Sequence, residues 1–110
     1  MVRQSKKIIT SYYYEEHLIE ILDYGIEIFG YAQARKYFNT ISQLVERLES
    51  DYNYYPECRH LATKSHMYRN IILDAHLILY RITNERIEVL DIIHSASSIH
   101  KIRDVRKIRL

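Results

Sequence analysis

Residues 67–94 read MYRNIILDAHLILYRITNERIEVLDIIH. Three apolar runs rich in Ile, Leu and Val are divided by two short polar breaks, Leu73-Asp74-Ala75-His76 and Thr83-Asn84-Glu85-Arg86. Breaks that short close hairpins, and Asn at the first loop position of the second suits the positive φ of a two-residue turn. The stretch therefore predicts a three-stranded antiparallel meander, stable once something covers one face. Arg69, Arg81 and His94 fall within these strands or at their ends. A charge inside a strand must face solvent, a groove or a carboxylate. Glu88 and Asp91 on the following strand are the natural partners for Arg81.

Upstream, Lys6-Lys7-Ile8-Ile9-Thr10 is β-branched, bounded by polar residues, and reads as a first strand. Thr10 or Ser11 can cap a helix that carries Glu15 and Glu16 in its first turn, where the helix dipole favours acid. Tyr14, Leu18, Ile21, Leu22, Gly25, Ile28 and Phe29 then follow helical spacing, with Glu16, Glu20, Asp23 and Glu27 on the other side. Gly30 is a good stop. Ala34, Tyr37, Phe38, Ile41, Leu44, Val45 and Leu48 form a second stripe, so the two helices make an antiparallel hairpin. Residues 51–63 break the pattern and crowd Tyr52, Tyr54 and Tyr55 beside Pro56. Such tyrosines can cover the edge of a small core or stack on bases.

Downstream of His94, Ser97 or Ser98 can cap a short helix with Ile99, Ile102 and Val105 inward and Lys101, Arg103 and Arg106 outward. Residues 107–110 alternate like a strand. The order strand, two helices, three strands and a short basic C-terminal tail predicts an α+β domain over residues 1–110. Its helix pair packs on a mainly antiparallel sheet of three to four strands. The first strand, cut off from the others by the helices, can join at an edge or lie parallel to a non-adjacent strand.

Composition narrows the class. A chain of 110 residues suits one domain with one core. A 47% hydrophobic content with two Gly and one Pro argues against extensive disorder. The lone Cys58 excludes an intrachain disulfide and a Cys-based metal motif, which fits a reducing cytoplasm. The opening MVRQSKKIITSYYYEE lacks the apolar stretch of a secretory signal, and no run approaches the ~20 residues of a membrane helix. His17, His60, His66, His76 and His100 show no metal-ligand spacing, so neither metal nor cofactor is expected. Charge is uneven: residues 1–57 carry six Lys/Arg against nine Asp/Glu, and residues 58–110 carry ten against five. That asymmetry points to an anionic partner for the basic half or to mutual neutralisation across the fold.

The chain resembles the RelE/ParE superfamily, the toxins of type II toxin–antitoxin modules. The likeness is carried by Tyr68-Arg69, by the strand 76–82 with its Tyr80-Arg81-Ile82, and by the strand 87–94 ending in Ile93-His94. Ala34-Arg35-Lys36-Tyr37-Phe38 and the loop 56–61 match the same style. The resemblance implies a cytoplasmic growth inhibitor held by a cognate antitoxin, and contact with operator DNA only through that antitoxin. It also implies one of two targets. RelE-like and YoeB-like members are similar to small ribonucleases that cut messenger RNA on the ribosome, whereas ParE-like members inhibit DNA gyrase and cut nothing. A degenerate member without toxicity is a third outcome.

The residues bear on that choice. Metal-independent RNA cleavage requires a base, an acid and cations that stabilise the phosphorane. Where RelE-type enzymes carry arginines, this chain has Leu77 and Ala96, which favours the ParE-like reading. A nuclease built on this chain would use His94, Arg69, Arg81 and Glu57, of which His94 and Glu57 fall near the positions where YoeB-like enzymes carry a His and a Glu. Arg59, Lys64, Arg103 and Arg106 would extend a basic binding surface, to which an acidic, amphipathic antitoxin segment is suited.

Overall fold

In a computed structural model, residues 5–110 are described, and the first four residues of the opening stretch lie outside them. Strand β1 (Lys7–Thr10) leads into helices α1 (Tyr12–Phe29) and α2 (Tyr31–Asp51). The meander follows as β2 (Tyr68–Ile72), β3 (His76–Ile82) and β4 (Arg86–His94), and the chain continues into α3 (Ile99–Asp104). The sheet order is β1-β4-β3-β2. Both meander pairings are antiparallel, and β1 joins β4 in parallel with Lys7 opposite Arg86 and Thr10 opposite Val89.

Ser11 joins the helices to the sheet. Its hydroxyl oxygen accepts the Tyr14 N–H at 3.0 Å, capping α1, and the same hydroxyl donates to the carbonyl of Leu90 on β4. At the other end of α1, Gly30 sits at φ 88, ψ 162, a backbone conformation open essentially to glycine alone. One residue thus suffices to reverse the chain. The helices approach closely, because a Cβ placed on Gly25 would stand 3.1 Å from that of Ala34.

The hairpin covers one sheet face, where Leu18, Ile41, Leu48, Ile78, Tyr80 and Val89 share a core. The opposite face is also covered. There α3 and a 3₁₀ turn at Arg59–Leu61 pack Leu61, Ile102 and Val105 onto Leu79, Leu90 and Ile93. The basic tail is thus an ordered cap, started by Ser98, whose side chain accepts the Lys101 N–H. A β-bulge makes the double burial of β4 possible. Leu79 pairs with Asp91 while Tyr80 pairs with Val89, leaving Leu90 as the extra residue. Val89 and Ile92 consequently both face the helices, which strict alternation forbids.

Four local expectations are corrected. Asn84 does not adopt positive φ: among described residues the non-glycine case is His66, at φ 55. The Thr83 hydroxyl closes the second turn instead, accepting the Arg86 N–H at 3.0 Å and donating to the Arg86 carbonyl at 2.9 Å. Ile28 and Phe29 are exposed, because α1 outruns the sheet beneath it. Ile99 is 49% exposed on the first turn of α3. Residues 107–110 form no strand, since Val105–Lys107 is a 3₁₀ turn that brings the Ile108 carbonyl to Arg81.

Candidate functional site

Where α1 and α2 overhang the β2–β3 turn and the end of β4, they leave a groove of about 650 Å³. Its walls are largely apolar and aromatic, with Tyr24, Phe29 and Tyr37 from the helices and Ile92 and Ile93 from β4. Three histidines enter it. His17 Nδ1 lies 2.6 Å from Asp91 Oδ1, and the same oxygen accepts the Ile92 N–H at 2.8 Å. His76 Nδ1 lies 2.8 Å from the Tyr37 hydroxyl, and the His76 ring meets that of His94 edge-on at 5.8 Å. Burial, and then the neighbouring His94, hold His76 below the ordinary histidine value, so it is biased toward the neutral form. His94 accepts the Ala96 N–H on Nδ1 at 3.0 Å, which leaves the Nε2 position to carry the proton of a neutral ring.

Tyr37 and His76 are thus joined by a hydrogen bond, whereas His94 meets His76 only through a ring contact. The one cation lining the groove among the described residues is Lys101, and no arginine lines it. Arg81 and His94 do not converge. His76 stands opposite His94 and Arg81 opposite Glu88, so five strand residues, roughly 16–17 Å, separate the two pairs.

Arg81 is instead built into the sheet. Its guanidinium reaches Glu88 at 2.7 Å, the Tyr68 hydroxyl and the Ile108 carbonyl. Arg86 holds the second oxygen of the same carboxylate. Desolvation is the strongest single influence on Glu88 and acts upward. The hydrogen bonds and charges of both arginines together outweigh it and hold the carboxyl below its ordinary value. Arg69 and Glu57 lie on neighbouring backbone at the outer edge of β2. Arg69 donates to the carbonyls of His66, Asn53 and Tyr55, and Glu57 pairs with His66 at 3.0 Å. Of the basic surface, Arg59, Arg103 on α3 and Arg106 on the following 3₁₀ turn are exposed on elements that pack together over the second face. Lys64 is exposed in the loop beyond them.

Sequence reasoning did not place His17, Tyr37, His76 and Lys101 at a site. Tyr37 carried the signature of a core stripe, and His76 that of a turn residue. Asp91, read as a partner for Arg81, pairs with His17 on α1 instead. Among the described residues, no group of three or more His, Cys, Asp or Glu is placed to hold a metal ion. Among them too, no helix is long and apolar enough to cross a membrane.

A family model described as the ParE toxin of the type II toxin–antitoxin system parDE matches residues 8–99, from β1 to the first residue of α3. The chain belongs to that family. A solved chain of the chromosomal ParDE TA system from P. aeruginosa superposes with a TM-score of 0.67 at 17% identity, over 82% of this chain and 96% of that one. At that identity the likeness speaks for the fold. No curated protein matches the chain. As a ParE-family member the protein is the toxin component of a type II module, and the family implies an antitoxin partner.

Proposed function

We propose that this ParE-family toxin is a non-hydrolytic growth inhibitor directed at DNA gyrase, silent while its antitoxin is bound. The observation that carries the reading is the groove around His94, which holds three histidines and, among the described residues, no arginine. Phosphodiester cleavage needs cations at the phosphorane, and Arg69 and Arg81 stand away from His94, engaged with carbonyls and with Glu88. Leu77 and Ala96, at the RelE-type arginine positions, agree with this. The antitoxin would supply an amphipathic segment for the aromatic groove, its acidic side toward Lys101 and the basic second half of the chain.

Induced expression without the antitoxin tests the reading. Gyrase poisoning gives DNA breaks and an SOS response, with messenger RNA intact, and purified toxin slows gyrase supercoiling. His94→Ala retains these effects. Rapid loss of messenger RNA would sink the reading and favour the second one, a metal-independent messenger-RNA endonuclease. The gathering of His76 and His94 supports that alternative, because each imidazole is a possible acid or base with Lys101 on the same groove. Normal growth in the absence of antitoxin would mark a degenerate member.

A further inference from the structure

At the opposite end of β3 from the groove, a polar pocket of about 430 Å³ is framed by Lys6, Arg69, His66, Asn53, Thr83 and Asn84. Two cations enter it, and carbonyls hold both. Arg69 directs Nε to His66 O at 2.9 Å and Nη1 to Asn53 O at 3.2 Å and Tyr55 O at 2.8 Å. These contacts use Nε and Nη1 and leave the Nη2 donors for another acceptor. The Lys6 ammonium reaches the Thr83 carbonyl and lies 3.2 Å from that of Asn84. Carbonyls satisfy hydrogen bonds without cancelling charge, and among the described residues no carboxylate lines the pocket. The nearby Glu57 is turned to the His66 ring instead. His66 itself is held at φ 55, a conformation uncommon for a residue with a side chain, and this brings its carbonyl onto Arg69.

Beside this pocket stands an aromatic residue that the core has not absorbed. Tyr52 is 6% exposed and Tyr55 packs edge-on against Tyr80 at 6.4 Å, whereas Tyr54 is 81% exposed. Tyr54 lies between Asn53 and Tyr55, the two residues whose carbonyls Arg69 clamps through one nitrogen, so its backbone is fixed near the guanidinium, while its ring, edge-on to that of Tyr55 at 5.1 Å, stays largely in solvent. Cations that track a phosphate backbone beside an aromatic platform are the combination that binds single-stranded nucleic acid.

We propose that Lys6 and Arg69 form a phosphate site for a single-stranded nucleic acid, with one base of the strand stacked on Tyr54. The site is separate from the groove and does not depend on the gyrase reading. Asn53, Ser65 and Asn84 line it with neutral polar groups, and the two cations and the exposed ring suit backbone and stacking contacts. Sequence preference is accordingly weak, and affinity falls with salt.

Fluorescence anisotropy with short labelled DNA and RNA strands, titrated with the full chain across a salt series, tests this. Lys6→Gln weakens both strands alike and makes the slope of log affinity against log salt shallower by roughly 0.7. Asn84 is exposed, so Asn84→Asp adds the missing carboxylate without removing a buried contact, and it abolishes binding while thermal melting stays unchanged. Tyr54→Ala lowers affinity by roughly 5- to 150-fold and leaves the salt slope alone. Absence of salt-sensitive binding overturns the proposal. So does binding indifferent to both Lys6→Gln and Asn84→Asp, which would assign the strand to Arg103 and Arg106 on the second face. If inorganic phosphate competes as tightly as the strand and Tyr54→Ala changes nothing, the site takes an isolated phosphate and the strand assignment falls.

Discussion

Arg81 and Glu88 show how a charge can sit inside a strand. They face each other across β3 and β4, and both side chains are largely withdrawn from solvent. Removing one member of such a pair strands the other, so Glu88→Ala should cost about 3–5 kcal/mol in urea unfolding. Arg81→Ala should cost less, because Arg86 still reaches the carboxylate. Tyr80 is a second residue of this kind. It is fully buried, and its hydroxyl donates to the Tyr52 carbonyl at 2.6 Å, fastening the end of α2 over the sheet. Tyr80→Phe leaves that carbonyl unpaired and should destabilise by about 1–3 kcal/mol, with the fold retained by circular dichroism. The Arg81–Glu88 contact was legible in the sequence, because residues close to a short turn oppose one another in a predictable register. The His17–Asp91 contact was not. It joins α1 to β4 across 74 positions, with no short turn to set a register between them.

At the scale of elements, the sequence was most informative where periodicity was long. The second helical stripe ran from Ala34 to Leu48, and Ala34, Ile41, Val45 and Leu48 are buried as its spacing required. The first stripe misled at its end, where Ile28 and Phe29 kept helical spacing but ran past the sheet. Periodicity reports which face a residue takes and not how far the opposing layer extends. The joint at Gly30 gives a direct test. Its φ and ψ are strained for any residue with a Cβ, so Gly30→Ala should lower stability by about 1–3 kcal/mol, read from the urea midpoint. The covering of the second face gives another. Ile102 is 6% exposed beneath α3, and Ile102→Ala should cost about 2–5 kcal/mol by removing apolar volume between α3 and β4. A free basic tail would show almost no effect.

For the molecule as a whole, two depressed groups at least partly withdrawn from solvent shape the response to acid, beside the solvent-exposed Asp104, which the Lys107 hydrogen bond lowers. His76 titrates below its ordinary 6.5 and Glu88 below its ordinary 4.5. In each case the unfolded chain binds the proton more readily than the folded one, so stability rises with pH. The His76 contribution is complete above about 6.5 and is lost as pH falls through its lowered value. The Glu88 contribution is complete above about 4.5 and disappears at still lower pH. Urea unfolding across an acid series should therefore show two successive losses, and His76→Gln should remove the first while leaving the second.

Parallel pairing of β1 with β4 also governs the order of assembly. The Ser11 hydroxyl and the Leu90 carbonyl that it meets are 79 positions apart, and Lys6 reaches back from 77 positions before Thr83. Every other strand pairing is a local hairpin. The meander and helix pair can therefore form early, whereas β1 must wait through synthesis of most of the chain before its partner exists. Contacts made last contribute little to the folding barrier and much to the lifetime of the folded state. Trimming Ile8 to alanine should hasten unfolding and leave the refolding rate nearly unchanged in stopped-flow measurements. On the ribosome, the same delay keeps the nascent toxin incomplete until β4 has been made.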